Sequence, residues 1–319
     1  MHKGKINKLR IAFWSAVVAG LMFGVTGWTG PAWAGFYVGA KKCSECHQAE
    51  TKVWEGTKHY ESYKTVHKEH KAKDILKAVG DRRMKRSDTC TLCHYTMEQK
   101  DASDKPRART GPSCESCHGA ASDWINVHND YGKGVKRADE PAAHKAERIK
   151  NSIAAGMVRP DHLFDVASNC MSCHGLANPK LSAKDAAAML DNGHPLNAGF
   201  ELVEYSQGTV RHRFYPPDVT KNKEMTPAEK SQMYVVGQAA ALVSATQAMS
   251  KSDNPKYKAA QEQRIATAKA ALEAIKGQVP EAGKLLADPT PENGRALAEA
   301  VKGKDLTGAV GDKLPKEYK

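Results

Sequence analysis

Cys43-Ser44-Glu45-Cys46-His47 is the first of four stretches built alike, followed by Cys90-Thr91-Leu92-Cys93-His94, Cys114-Glu115-Ser116-Cys117-His118 and Cys170-Met171-Ser172-Cys173-His174. All eight cysteines are consumed and none is left over. Disulfides, zinc sites and redox dithiols also use paired cysteines, but none of them requires a histidine at the next position. Cys-x-x-Cys-His is the attachment signature of c-type haem. Two thiols at that spacing reach the two vinyl groups of one porphyrin, and the adjoining histidine lies under the iron. The expected cofactors are therefore four covalently bound haem c groups. Cys43, Cys46, Cys90, Cys93, Cys114, Cys117, Cys170 and Cys173 would carry the thioethers, with His47, His94, His118 and His174 as proximal iron ligands.

Around these motifs lie 319 residues, enough for one large domain or two modest ones, and a 40% hydrophobic share argues against disorder. The net charge of +12 comes from basic residues that are scattered, with no Arg/Lys block interleaved with aromatics, so nucleic acid is not an expected partner. Lys3, Lys5, Lys8 and Arg10 precede an apolar run from Ile11 to Trp28, and Ala32-Trp33-Ala34 closes it. That order is a secretory signal peptide over residues 1–34, which sends the mature chain to the periplasm. The competing reading is an uncleaved membrane anchor over residues 11–30, which Gly20, Gly24 and Gly27 interrupt. Cleavage leaves 44 basic against 36 acidic residues, or +8. Four ferric haems at about one negative charge each would lower this to about +4, so the basic excess reads as counter-charge for haem propionates.

By their first cysteines the motifs lie 47, 24 and 56 residues apart, and His212 is the last histidine. The short middle gap predicts that the second and third haems sit side by side. The haem chemistry falls within a domain over residues 35–217. From Met225 onward there is no cysteine, histidine or tryptophan, which sets off a domain without haem over residues 218–319. Thr226-Pro227-Ala228-Glu229 is a capping box with proline at the first helical position, and Asn254-Pro255 and Thr290-Pro291 repeat the start signal. Three helices are expected, with Gly277 and Gly303 as stops. Met233, Val236, Ala240 and Val243 form an apolar stripe on the first, and Ile265, Ala268, Leu272 and Ile275 form one on the second. The stripes suit packing on the haem domain or a homodimer through the C-terminal helices. Strand signals are sparse: Phe200–Tyr205 and Thr209–Phe214 could form a hairpin around Gln207-Gly208. The fold class is mainly α, a multihaem cytochrome c domain with little regular sheet followed by an α-helical bundle.

Eight histidines of the mature chain stand outside the motifs: His59, His67, His70, His128, His144, His162, His194 and His212. At most four are needed on the distal side of an iron. The run from Thr51 to Val79, ended by Gly80, reads as one helix, on which His59 and His70 lie 11 residues apart, about 16 Å along one face. His67 is turned away from that face. His194 stands between Gly193 and Pro195, in an extended loop.

Lys41-Lys42-Cys43-Ser44-Glu45-Cys46-His47 with Trp54 and Thr57-Lys58-His59, and Gly111 through Cys114 to Gly119 with His128 ten residues after His118, resemble the tetrahaem cytochrome c-554 family. The resemblance covers about residues 36–175 and weakens after Leu176, and the tail from Met225 has no counterpart in it. That family carries electrons away from hydroxylamine oxidoreductase. The resemblance implies that His59 is the distal ligand of the third haem, opposite His118, and that His128 caps the first, opposite His47. It also implies a five-coordinate second haem on His94. For the fourth haem it implies a distal histidine some 35 residues beyond the motif, where His212 fits the spacing better and His194 has the more rigid setting. His70 is a departure that could close the second haem.

Two functions follow from these readings. The first is a periplasmic tetrahaem cytochrome transferring electrons between respiratory redox partners, either periplasmic or membrane-associated. The second is a multihaem oxidoreductase acting on a small nitrogen or sulfur species at one five-coordinate haem. Bis-histidine iron has no free position, so the carrier is favoured over the enzyme.

Overall fold

The computed structural model describes residues 35–209 and 221–315. The described residues are 59% helix and 3% strand, hence mainly α. In order the helices are α1 (Ala40–Ser44), α2 (Gln48–Glu55), α3 (Lys58–Thr65), α4 (Ala72–Ala78), α5 (Asp88–His94), α6 (Cys114–His118), α7 (Ala142–Ala154), α8 (Leu163–His174), α9 (Ala183–Asp191) and α10 (Leu202–Glu204). The C-terminal series is α11 (Pro227–Ala248), α12 (Pro255–Ile275), α13 (Pro280–Ala287), α14 (Pro291–Ala300) and α15 (Thr307–Val310).

Local chemistry sets the helix ends. Three of the motifs close a helix: His94 ends α5, His118 ends α6 and His174 ends α8, while the first motif runs from α1 to His47, the N-cap of α2. Ser87 caps α5 by accepting from Cys90 N, and Ser113 with Ser116 forms a capping box on α6. In the tail, Thr226 and Glu229 form the expected capping box, and Asn254 and Thr290 accept from the first-turn amides of α12 and α14.

The single helix read over residues 51–79 is instead three. Thr57 interrupts it by accepting from Tyr60 N as a new N-cap, and the chain turns again between Val66 and Lys71. His59 therefore lies in α3 and His70 in an exposed turn, so the two do not share a helix face. The hairpin expected around Gln207 is also corrected. Glu201 accepts from Glu204 N and starts α10, which runs into a π-helical turn over Tyr205–Thr209. Residues 210–214 lie outside the described residues. The sheet is elsewhere: β1 (Thr96–Glu98) pairs antiparallel with β2 (Arg107–Thr110) between the second and third motifs.

The largest core is centred on α11, which is buried nearly all round from Tyr234 to Val243. Leu272, Ile275, Leu285 and Leu297 close on it from the tail, and Phe164, Ala167 and Met171 of α8 enter the same core. The expected stripes are thus buried within the chain, and the helix carrying the fourth motif packs directly on the tail.

Candidate functional site

The motif thiols meet across motifs. None of the eight cysteines is in a disulfide. Cys43 lies against Cys114, Cys117 against Cys170, and Cys93 against Cys173. These contacts, with burial second, push Cys43, Cys93 and Cys170 up. Their partners Cys114 and Cys117 are drawn down, and Cys173 falls to about 7. In space the motifs follow in the order first, third, fourth, second. The second and third, expected side by side, meet through Thr96, whose hydroxyl lies 2.9 Å from that of Ser113 and 3.2 Å from that of Ser116.

Six histidines stand in three facing pairs. His47 faces His128 with ring centres 6.3 Å apart and planes inclined by 22°. His94 faces His194 at 5.9 Å, and His174 faces His59 at 6.0 Å. Metal–imidazole bonds of about 2.0–2.1 Å on either side of one ion put ring centres about 6 Å apart, so each pair has the span of two ligands on a single metal.

The protons of these rings are placed to match. Nδ1 of His128 faces Ile125 O at 2.7 Å, that of His194 faces Pro195 O at 2.8 Å and that of His118 faces Val158 O at 2.9 Å. Carbonyl oxygens only accept, so each Nδ1 donates and Nε2 is the nitrogen that can ligate a metal. His59 Nδ1 meets Tyr205 Oη at 2.5 Å, and His47 Nδ1 lies 3.4 Å from Glu50. Burial first, then neighbouring imidazoles, draws His59 and His94 down to about 4, and burial also lowers His128, His174 and His194. Rings kept neutral in this way are in the ligating form. Unpaired thiols, paired rings and fixed tautomers together fit covalently bound haem c.

His59 owes its position to close packing. Thr57 Oγ1 donates to Trp54 O, and Trp54 Nε1 donates to Pro112 O at 2.9 Å. Gly111 passes so near His59 O that a Cβ there would overlap it. This explains chemically why glycine precedes the third motif. Phe200 stacks on His174 at 4.1 Å with planes inclined by 13°. Glu115, within the third motif, accepts from Val38 N, Gly39 N and Ala121 N at 2.8–2.9 Å and so ties the segment before α1 to it.

The structure brings His128 opposite His47, as the resemblance implies. It departs twice from the implied set: His59 faces His174 rather than His118, and His194 faces His94, the iron left open by the resemblance. His70 is exposed in its turn, and His144 is engaged with Glu140 at 2.8 Å. His212 lies outside the described residues. Tyr205, Phe200, Glu115 and the buried Arg264, all at this site, were not singled out by the sequence reading. Of these only Glu115 carried a local signal, being an acidic residue inside an attachment motif.

A mainly helical chain with Cys-x-x-Cys-His at helix ends and its histidines facing in pairs is a multihaem c-type cytochrome, a class whose work is electron transfer. Residues 42–119 match the family described as Cytochrome c554 and c-prime. Cytochrome c-554 of Nitrosomonas europaea (strain ATCC 19718 / CIP 103999 / KCTC 2705 / NBRC 14298) is 27% identical over a stretch covering 52% of this chain and 69% of that protein. No solved structure matches. Over these stretches the chain is similar to the cytochrome c-554 family. Among the described residues no helix is long and apolar enough to cross a membrane, and the signal peptide or anchor over residues 1–34 lies outside them.

Proposed function

We propose that the mature chain, cleaved after Ala34, is a periplasmic tetrahaem cytochrome that carries electrons between redox proteins of the periplasm or its membranes. Haem iron, when bound, supplies one-electron chemistry. The observation that carries the reading is the set of three facing imidazole pairs at 5.9–6.3 Å. His47 and His128 would hold the first iron, His94 and His194 the second, and His174 and His59 the fourth. His118 would hold the third, with His212 the remaining candidate for its other side. Closing the second iron with His194 leaves that site no position for a small substrate, which favours the carrier over the oxidoreductase.

The chain's own residues fix each ring. Tyr205, Ile125, Pro195 and Val158 supply oxygens to Nδ1 and so fix each ring's orientation, and the packing of Gly111 on His59 sets where that ring projects. Intact-mass spectrometry of the purified protein tests the reading. The expected result is the chain from Gly35 plus four haems. Fewer haems, or retention of residues 1–34, overturns the corresponding half.

A further inference from the structure

The tail that lies beyond the family match reaches the fourth motif with a charge. On α12 one face carries Tyr257, Gln261 and Arg264, spaced to project together. Tyr257 Oη donates to Leu176 O and Gln261 Nε2 donates to Gly175 O, both at 3.0 Å. One turn on, the guanidinium of Arg264 rests on Gly175, where a Cβ would overlap Nη1. Gly175 directly follows His174.

Arg264 is 4% exposed. Its hydrogen-bond partners, Gln261 Oε1 at 2.6 Å and Ser244 Oγ at 3.3 Å, are both neutral. Among the described residues it forms no ion pair. A guanidinium does not shed its proton in proteins, and a buried charge without a counter-charge is among the costliest arrangements a fold can hold. The group also borders a cavity of about 580 Å³, shared with Phe200, Glu201, Tyr234 and Gln238. Phe200, the wall nearest the motif, is the ring stacked on His174. A buried cation facing a cavity beside a haem ligand calls for an anion, and the anions a haem brings are its propionates.

We propose that Arg264 is the counter-charge of the haem held by Cys170, Cys173 and His174, pairing with a propionate of that haem and raising its reduction potential. The inference rests on the proposed function, because it needs a haem at the fourth motif. Reduction adds one negative charge to the haem, so a fixed positive charge beside it favours the reduced form. The tail would then act as an electrostatic setting for one haem of the four, in addition to its packing on α8.

The test is a potentiometric titration of the holo-protein and of Arg264→Met and Arg264→Lys variants, each with its haem count checked by mass. In Arg264→Met one of the four transitions should fall by about 59 mV, a tenfold change in the equilibrium constant of a one-electron couple. Arg264→Lys should keep more than half of the wild-type value, since it keeps the charge. Should Arg264→Met fail to mature, Gln261→Glu sets a carboxylate against the guanidinium and should lower the same transition. Four unchanged potentials on four haems overturn this inference alone, as does an equal shift of all four. A wild-type protein without haem on Cys170 and Cys173 overturns it together with the proposed function.

Discussion

Replacing His194 with alanine should open one coordination position in the molecule and only one. In the wild-type protein the ring of His194 stands 5.9 Å from that of His94, within a few tenths of an ångström of the span that two imidazoles on one metal require. The loop that presents it does not depend on the ring. Gly193 takes φ +90°, Pro195 fixes the next residue, and His194 N donates to Met189 O at 2.9 Å. Alanine keeps all three and loses the Nδ1 bond to Pro195 O, worth about 1 kcal/mol, so the variant should fold. Carbon monoxide added to the dithionite-reduced wild-type protein should not bind at the iron on His94. The variant should bind about one molecule per chain more than the wild type, with an added Soret change about a quarter of that expected for four open haems. Added imidazole should reverse the effect, and His70→Ala should change nothing. The same carbon monoxide stoichiometry for His194→Ala as for the wild-type protein would refute the assignment of His194 to the iron on His94.

Three further changes probe the scaffold. Glu115→Ala removes a buried carboxylate from three backbone amides and should cost about 3 kcal/mol or more in guanidinium unfolding of the holo-protein; a loss under about 1 kcal/mol would mean that the N-terminal segment is held by other contacts. Arg148 first, and His144 with it, holds the Glu140 carboxyl down at about 2. Its contribution is therefore present above the ordinary carboxylate value and lost as pH falls from about 4.5 to about 2. Glu140→Gln should flatten the fall of Tm across that window, and an unchanged slope would count against the pair. Gly294→Ala would gain about 1 kcal/mol from helix propensity alone, yet a Cβ there overlaps the Phe164 ring of α8, so thermal unfolding should show a net loss of about 1–3 kcal/mol. A stabilised variant would show that α8 and α14 are loosely joined.

What could be read from the chain was what a few neighbouring residues decide between them. The covalent demand of a porphyrin spells out all four motifs in five residues each, and the capping chemistry at Thr226, Asn254 and Thr290 fixed three helix starts within the residues that perform it. Where a local signal competes with a pattern, the local signal wins. Thr57 breaks a run that looked continuous because its hydroxyl takes the Tyr60 amide, and Glu201 turns an alternating stretch into a helix by taking the Glu204 amide. The small sheet went unseen because Arg107–Thr110 offers Ala108 as its one apolar residue, too weak an alternation to read as a strand, and its partner strand is held in part by buried hydroxyl bonds of Thr96.

Which histidine faces which iron was not legible for a different reason. The pairs join residues 81, 100 and 115 positions apart, and no spacing rule acts over such distances. Sequence could supply only the local half of the geometry: His128 finds its Nδ1 acceptor three residues back, and His194 finds one in the next residue. A histidine whose Nδ1 is occupied by a neighbouring carbonyl is already oriented, with Nε2 aimed away from its own backbone. His144 illustrates the contrast, since its Nδ1 is spent on a carboxylate that Arg148 also grips and no second histidine ring faces it among the described residues. The distinction between ligand and bystander therefore lies in what faces Nε2: His128 and His194 each meet a second imidazole across the span of one metal.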